Sequence, residues 1–273
     1  MRYNTFNETA REYDNIVTPC REHQVRTLVE DLKLTGNEKV LDIGCGSGLL
    51  SLEVLKKLKS PKQFTGIDLS EKMLALCRRR LWNNGFKDID LKIGNSLALE
   101  FSDDFFDVIV SSNVLPWVGD QDAFIAEVKR ALRPGGSFGL IALHTDVYKE
   151  FFKVIDDVRA VYRDCFNCNS VLQDIGVCLE DVSGHCRRLQ SAGFQISRGY
   201  VLSTQEPIDA DEYVRRFNAV TGETQLNSVP ENKKDFIRRE LYNRLRGKNG
   251  SLNVTEAINI LISKKAANRT AMQ

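Results

Sequence analysis

A glycine-rich segment, KVLDIGCGSGLLSLEVL, begins at Lys39 and constrains the fold more than any other part of the sequence. Its first apolar residues, Val40–Ile43, predict a buried parallel strand, and the apolar residues after Gly48 predict a helix. The glycines therefore lie on a turn from a strand to a helix. In doubly wound α/β folds, ligands bind at such turns, because these turns lie at the carboxyl ends of the strands.

Strand and helix patterns alternate along the rest of the chain. After Val40–Ile43, apolar runs bounded by turn residues predict four more strands, at Gln63–Ser70, Ile89–Ser96, Phe105–Ser112 and Gly136–Leu143. A mostly helical stretch follows, and two further strand patterns then occur, in Phe194–Ser203 and Ala257–Lys265. The alternation predicts the α/β class, with a doubly wound, mostly parallel seven-stranded sheet and an α-helical cap inserted after the fifth strand.

The spacing of the glycines distinguishes between ligands. A dinucleotide fingerprint reads G-x-G-x-x-G, whereas Gly44, Gly46 and Gly48 give G-x-G-x-G, and the Gly-Lys-Ser/Thr end of a phosphate loop is absent here. Asp42 would repel a pyrophosphate but would attract an ammonium or sulfonium group. Asp68 ends the second strand, where such folds place a carboxylate on ribose hydroxyls. A nucleoside that carries a cationic amino acid fits both carboxylates.

These segments together resemble the class I S-adenosylmethionine-dependent methyltransferases. VLDIGCGSG is similar to the first motif of that family, GIDLS to its second-strand acid, GNSLAL to its adenine-contacting loop and ALRPGGSFGLIAL to its fifth-strand motif. The resemblance covers residues 36–143. It implies a Rossmann-like methyltransferase fold, S-adenosyl-L-methionine as the cofactor and S-adenosyl-L-homocysteine as its product.

The resemblance also implies which residues bind the cofactor. Asp42 would contact the methionine end, the glycines would allow close approach of the backbone, and Asp68 would hold the ribose. An amide stands at Asn95, where the family often has aspartate, and its oxygen can still bond the adenine amino group. The complete implied set is Asp42, Gly44, Cys45, Gly46, Gly48, Asp68, Leu69, Met73, Asn95, Ser96, Leu97 and Ser112.

We expect four segments with different tasks. Residues 1–35 should form an N-terminal helical segment that covers the active site, and residues 36–143 the S-adenosylmethionine-binding core. Residues 144–193 should form the helical cap that binds the methyl acceptor. Residues 194–273 should supply the strands and helices that complete the sheet and the cap.

The acceptor is expected to be a small molecule. YNTFNETAREYDNI and SSNVLPWVGDQDAF are similar to the small-molecule branch that includes quinone-ring, trans-aconitate and malonyl-carrier-protein methyltransferases. Carboxylate O-methylation is the leading hypothesis, and Arg11, Arg21 or Arg198 could bind the carboxylate. The candidate acceptor-binding residues are Tyr3, Arg11, Tyr13, Asn113 and Trp117.

Several alternatives stay open at this point. Methylation of carbon, nitrogen or a phenol oxygen would call for a base, and His144 directly after the fifth strand is the best-placed histidine. The chain could also methylate RNA or protein, or bind S-adenosylmethionine without catalysis. Turnover of small acceptors distinguishes these possibilities.

Charge and hydropathy limit the partners and the compartment. The formal net charge is +1, with 38 Lys plus Arg and 37 Asp plus Glu, so no global field attracts nucleic acid. The sequence has no signal-peptide pattern and no run of apolar residues long enough to span a bilayer. We therefore expect a cytoplasmic protein with no membrane or nucleic-acid partner, and reduced cysteines.

Two clusters outside the core have a structural and a functional interpretation. Cys165, Cys168, Cys178 and Cys186 stand near His185, but only one cysteine pair has the short spacing of a zinc site, so buried thiols and no metal are expected. The basic run in residues 233–248 is typical of a solvated helix face. Its functional interpretation is a docking site for an acidic carrier protein or for RNA.

Overall fold

The computed structural model describes residues 3–166, 177–222, 224–246 and 251–267, and these contain one seven-stranded sheet. Its strands are β1 (Val40–Ile43), β2 (Phe64–Asp68), β3 (Asp90–Ile93), β4 (Phe106–Ser112), β5 (Leu132–Leu143), β6 (Phe194–Asp209) and β7 (Ser251–Lys265). The spatial order is β3-β2-β1-β4-β5-β7-β6. The first five strands pair in parallel, and β7 runs antiparallel to both β5 and β6. The predicted α/β class and the mostly parallel seven-stranded sheet are confirmed.

Helices cover both faces of this sheet. They are α1 (Tyr3–Glu12), α2 (Glu22–Leu32), α3 (Leu49–Leu55), α4 (Glu71–Asn83), α5 (Gln121–Ala131), α6 (Lys149–Val161), α7 (Val182–Ser191), α8 (Ala210–Thr221) and α9 (Glu231–Arg246). Apolar residues of α2, α3 and α4 form one core with the strands, and residues of α5 and α7 form a second core on the opposite face. This is the doubly wound arrangement that the alternating pattern predicts.

Alternation within β1 sets the orientation of the first candidate site residue. Leu41 and Ile43 pack into the core under α5, whereas Val40 packs into the core under α2 and α3. Because side chains alternate along a strand, Asp42 points to the same face as Val40. The Asp42 carboxylate consequently reaches Ser51 on α3, whose hydroxyl donates to it at 2.7 Å.

Three helices form a separate apolar cluster next to the sheet. Phe151, Ile155 and Val158 of α6 are buried there with residues of α8 and α9, including Phe217 and Ile237. The cap expected after β5 therefore draws helices from both sides of β6. Val161, the last residue of α6, is 59% exposed and lies outside this cluster.

Two of the cap helices are connected to long extensions of the last two strands, since α8 directly follows β6 and α9 precedes β7. β6 and β7 pair from Phe194 with Lys265 to Asp209 with Ser251, well beyond the predicted strand segments. The extensions are rich in polar residues such as Glu206 and Thr255, so their sequence lacks an apolar strand pattern. None of the helices in the described ranges combines the length and apolar character needed to cross a bilayer.

The N-terminal segment lies over the glycine turn. A π-helical turn, Tyr13–Val17, follows α1, and the short 3-10 turn Pro19–Arg21 leads into α2. The Ser70 hydroxyl donates to Asn7 Oδ1 at 2.6 Å, and Arg80 bonds both the Ser47 carbonyl and the Asp14 carboxylate. These contacts connect α1 and the π-helical turn to α4 and to the glycine turn.

Candidate functional site

Two adjoining cavities lie at the carboxyl ends of β1, β2 and β4. We name the larger one the aromatic cavity; it has a volume of about 790 Å³ and is open to solvent. The residues that line it are Phe6, Tyr13, Ile43, Gly44, Gly46, Asp68, Leu69, Ser70, Met73, Gly94, Ser96, Ser112, Asn113, Val114, Trp117 and Val118. The smaller, which we name the polar cavity, has about 440 Å³ and is lined by Tyr13, Thr18, Arg21, Val25, Asp42, Gly44, Cys45, Gly46, Ser47, Leu49, Leu50, Ser112 and Asn113. Five residues line both cavities, so a single elongated ligand could occupy both.

Backbone hydrogen bonds hold the glycine turn against β2, and the turn also lies close to a side chain that follows β4. The amides of Gly44 and Cys45 donate to the Ile67 carbonyl at 2.8 and 2.9 Å, which connects the turn to β2. Gly44 has a φ of +68°, and a Cβ atom there would lie 2.2 Å from Val114 Cγ2. Gly44 is therefore required both by its left-handed backbone and by the side chain that faces it.

We expect Gly44→Ala to destabilise the protein and to close the junction of the cavities. The left-handed backbone costs about 1–2 kcal/mol for a residue with a Cβ atom, and the contact with Val114 adds about 1–3 kcal/mol of overpacking. Gly85→Ala is the matched control, because Gly85 has a φ of +88° and a Cβ atom there would meet no other atom within 4 Å. Thermal unfolding and ligand titration of both variants check this expectation, and equal effects would contradict it.

Asp68 forms part of the wall of the aromatic cavity. Its Oδ2 accepts from the Gly46 amide at 2.9 Å, and its Oδ1 accepts from the Ser70 amide at 2.8 Å. Burial raises the pKa of Asp68, and the bonds from these backbone amides oppose that shift. Each carboxylate oxygen can accept a further hydrogen bond from a ligand hydroxyl.

The polar cavity contains two buried acceptor atoms that have no hydrogen-bond partner. One is Oδ1 of Asp42, whose side chain is 1% exposed. The other is Oδ1 of Asn113, a residue held at a φ of +58° directly after β4. Buried polar atoms without a partner are costly, so a donor group of a ligand that reached either oxygen would be stabilised there.

A buried cation lies in the wall of the same cavity. Arg21 is 5% exposed, its Nη1 donates to Gln24 Oε1 at 3.3 Å, and its Nη2 donates to the Tyr148 hydroxyl at 3.3 Å. Its Nε has no partner, and no carboxylate among the described residues lies within 4.0 Å of the guanidinium. The cavity is thus complementary to a ligand that carries both an anionic and a cationic group.

The structure brings most of the predicted cofactor residues together. Nine of the twelve predicted cofactor residues line one or both cavities, namely Asp42, Gly44, Cys45, Gly46, Asp68, Leu69, Met73, Ser96 and Ser112, and the predicted acceptor residues Tyr13, Asn113 and Trp117 join them. Gly48 instead packs against Cys77 at the start of α3. Asn95 is exposed and accepts from the Leu97 amide at 3.0 Å, so both residues form the turn that holds Ser96 at the wall.

Other predicted residues lie away from both cavities. Arg11 borders a surface groove between α1 and α4, and the exposed Arg198 pairs with Asp31. His144 Nδ1 accepts from the Asp146 amide at 3.0 Å, and His144 lines neither cavity. The Tyr3 side chain lies outside the described part of the structure.

Sequence reasoning missed several wall residues. The aromatic cavity is also lined by Phe6, Gly94, Val114 and Val118. The polar cavity is also lined by Thr18 and Ser47, whose hydroxyl oxygens lie 3.1 Å from each other. Phe6 and the residues after β4 belong to segments that the sequence singles out by their resemblance. Thr18 carries no such signal, because the π-helical turn that places it is not visible in an apolar pattern.

The described residues of the cysteine cluster and of the basic helix line neither cavity. Cys165 is buried, whereas Cys178 is exposed, so the expectation of buried thiols is wrong for Cys178; Cys168 lies outside the described residues. Within the described ranges, no group of three or more His, Cys, Asp or Glu side chains could hold a metal ion. On α9, Lys234 and Arg246 pair with Glu231 and Asp211, as in a solvated helix face.

A comparison with known protein families shows which family has this fold and this site. A family model described as a methyltransferase domain matches residues 34–207, which is more than half of the chain. The chain belongs to this methyltransferase family. The methyltransferase is therefore an enzyme that uses S-adenosylmethionine, and the resemblance to the class I small-molecule branch is confirmed.

Individual relatives agree with the family match. The methyltransferase is 27% identical over 205 residues to the demethylmenaquinone methyltransferase of Lactiplantibacillus plantarum, covering 70% of this chain and 86% of the relative. It is 31% identical over 138 residues to the enzyme of the same name from Symbiobacterium thermophilum, covering 49% of this chain and 55% of that one. A solved candidate methyltransferase from Bacillus halodurans has a TM-score of 0.62 at 19% identity, covering 89% and 99% of the two chains, which shows the shared fold.

Proposed function

We propose that this methyltransferase transfers the methyl group of S-adenosylmethionine to a small acceptor that carries an apolar ring. The observation that supports the donor site most strongly is in the polar cavity, because three of its lining residues have a buried polar atom without a partner: Nε of Arg21 and Oδ1 of Asp42 and of Asn113. The amino acid end of the donor has one carboxylate and one ammonium group. The carboxylate would satisfy Arg21, and the ammonium would satisfy the two oxygens.

The aromatic cavity would hold the adenosine part of the donor. Asp68 keeps acceptor capacity for the ribose hydroxyls, and Leu69 and Met73 offer apolar surface for the adenine ring beside the Ser96 turn. Because Gly44, Gly46 and other residues line both cavities, the donor would extend from one into the other. The residues present therefore fit the cofactor of the family.

The chain contributes alignment and exclusion of water to the reaction. When bound, S-adenosylmethionine supplies a methyl group on a positively charged sulfur. Tyr13, Ser112 and Asn113 line both cavities and would surround the reacting region between the two ends of the donor. Burial raises the pKa of Tyr13, the Arg21 charge opposes the shift, and Asp68 and Asp14 add to it. The Tyr13 hydroxyl is therefore protonated at neutral pH and can donate a hydrogen bond.

Aromatic side chains in the wall of the aromatic cavity support an acceptor with an apolar ring. The Phe6 ring lies edge-on to Trp117 with centroids 5.5 Å apart, and edge-on to Tyr13 at 6.1 Å. Such rings bind apolar and aromatic ligands over a large contact area. Two relatives reported above are named for demethylmenaquinone, and this name agrees with a ring acceptor.

Carboxylate O-methylation, the leading hypothesis from the sequence, is the second candidate. It needs a cation near the acceptor, and Arg11 and Arg198 lie away from both cavities. Arg21 is the observation that favours it, because its guanidinium is buried at the polar cavity. In the proposed arrangement the donor carboxylate binds Arg21, so a ring acceptor has the stronger support.

A panel of acceptors tests this proposal. We expect methyl transfer to quinol, phenol or related ring acceptors, and none to small aliphatic carboxylic acids, in an assay that follows a labelled methyl group. His144 lines neither cavity, so the proton that the ring acceptor loses would pass to water or to another group. His144→Ala should therefore lower turnover by less than about tenfold, well below the contribution of a general base. Turnover of carboxylates alone would establish the second candidate, and a larger loss in His144→Ala would give that histidine a role in catalysis.

We expect donor affinity to depend on pH through Asp42. Burial raises the pKa of Asp42 to about 7, the hydrogen bond from Ser51 opposes this shift, and the Asp68 carboxylate adds to it. An ammonium group binds the ionised form, so the affinity for S-adenosylhomocysteine should rise with pH by about tenfold per unit below the pKa of Asp42 and level off above it. Titration calorimetry between about pH 5.5 and 7.5 measures this slope.

The ligand-free protein should show the opposite dependence. Because the folded pKa of Asp42 exceeds its unfolded value, this carboxyl makes the ligand-free fold less stable as the pH rises from about 4 to about 7. Asp42→Asn should remove both slopes. A wild-type affinity that does not change with pH, or an unchanged slope in Asp42→Asn, would contradict the assignment of the ammonium group to Asp42.

A further inference from the structure

Arg21 is held by two contacts that come from different parts of the fold. Gln24, which accepts from Nη1, lies within one turn of Arg21 at the start of α2. Tyr148, which accepts from Nη2, is 127 positions away in the sequence and directly precedes α6, the first cap helix. The orientation of the guanidinium therefore depends on the position of the cap.

Tyr148 itself is fixed by strain and by packing. Its φ of +54° and ψ of 22° are left-handed, which costs a residue with a Cβ atom about 1–2 kcal/mol. The side chain is 4% exposed, and its ring centroid lies 5.9 Å from that of Tyr213 and 5.5 Å from that of Phe217. Both partner rings belong to α8, so the packing of α6 against α8 holds the Tyr148 hydroxyl on Arg21.

The Tyr148 hydroxyl bonds Arg21 without neutralising it. Burial raises the pKa of Tyr148 to about 12, the Arg21 charge opposes this shift, and Glu256 adds to it. The hydroxyl is therefore uncharged at neutral pH. A carboxylate in this place would form an ion pair and cancel the attraction of Arg21 for an anion, whereas a neutral acceptor orients the guanidinium and leaves its charge available.

We infer that Tyr148 is a positioning residue through which the cap helices orient Arg21 toward the carboxylate of the methyl donor. This inference rests on the donor arrangement proposed above. Tyr148 lines neither cavity, so it would act through Arg21 alone. A guanidinium that is oriented before the donor arrives loses less rotamer freedom on binding, and the cap thereby contributes to donor affinity.

A pair of ligands isolates this effect. S-Adenosylhomocysteine has the amino acid end, whereas 5′-methylthioadenosine has the same nucleoside and a thioether but no amino or carboxylate group. We expect Tyr148→Phe to weaken binding of S-adenosylhomocysteine by about five- to tenfold in calorimetric titration and to leave 5′-methylthioadenosine within about twofold. Phe217→Leu, which loosens the ring contact from α8, should shift the same ratio in the same direction.

The control is Tyr162→Phe, at the opposite end of α6. The Tyr162 hydroxyl donates to Glu240 Oε2 at 3.1 Å on α9, so this variant should bind both ligands as the wild type does. Equal losses for the two ligands in Tyr148→Phe, or no loss for either, would overturn the inference. Arg21→Gln in the same titration distinguishes a failure of the proposed donor arrangement from a failure of the positioning role of Tyr148. If Arg21→Gln keeps the preference for S-adenosylhomocysteine, the proposed donor arrangement fails; if only Tyr148→Phe keeps it, the positioning role alone fails.

Discussion

Asp68→Ala is expected to reduce the affinity for S-adenosylmethionine by more than about 100-fold, because two ribose hydroxyls lose a charged acceptor and each such bond contributes about 1.5–3 kcal/mol. The structure adds a second reason for a large effect. Asp68 also accepts from the amides of Gly46 and Ser70, so its removal loosens the glycine turn and the start of α4. Calorimetric titration of the donor measures the loss.

Asp90→Ala is the matched control for this variant. Asp90 lies on the neighbouring strand β3, is exposed and pairs with Lys92, and lines neither cavity. We expect wild-type affinity from it. Asp68→Asn should recover part of the lost affinity, because the amide oxygen can still accept one hydrogen bond. Unchanged donor affinity in Asp68→Ala would refute the assigned ribose site.

Arg21→Gln is expected to weaken donor binding by about 2–4 kcal/mol, or roughly 30- to 1,000-fold, since the donor carboxylate would lose a buried cationic partner. The same change should leave binding of 5′-methylthioadenosine nearly unaltered. Arg21→Lys keeps the charge but not the fork of the guanidinium, and it should restore part of the affinity. Calorimetry with both ligands measures these differences.

The stability of the ligand-free protein gives an independent test of the same residue. Arg21 is buried with no carboxylate within 4.0 Å among the residues described, so Arg21→Gln removes a buried charge that the Glu256 carboxylate compensates only from a greater distance. The thermal midpoint of the ligand-free variant should therefore equal or exceed that of the wild type. A lower midpoint together with unchanged donor affinity would show that Arg21 has a purely structural role.

The sequence predicts the sheet well because its strands and turns have strong local signals. The apolar runs at Val40–Ile43 and in Gly136–Leu143 specify their strands without reference to the rest of the chain. The polar ends of β6 and β7 are stabilised by pairing with each other over a long distance in sequence. No local pattern reveals such pairing, which is why the sequence predicts both strands too short.

The site residues also differ in whether a local sequence signal predicts them. Asp42, Gly44 and Asp68 stand in recognisable motifs at strand ends, and the structure brings them to the cavities. The sequence predicts Arg21 only as an anchor for the acceptor, because its depth and its lack of a carboxylate partner among the described residues are tertiary properties. Tyr148 has no signal in the sequence, since its contact with Arg21 depends on how α6 packs against α8.

The most direct test of the proposed donor site is a crystal structure of the complex with S-adenosylhomocysteine. We expect the ribose hydroxyls to contact Asp68 in the aromatic cavity. We also expect the carboxylate to contact Arg21 and the ammonium to lie at Asp42 and Asn113 in the polar cavity. A nucleoside bound elsewhere on the sheet, or an amino acid end that leaves Arg21 and Asp42 without contact, would contradict the proposed donor site.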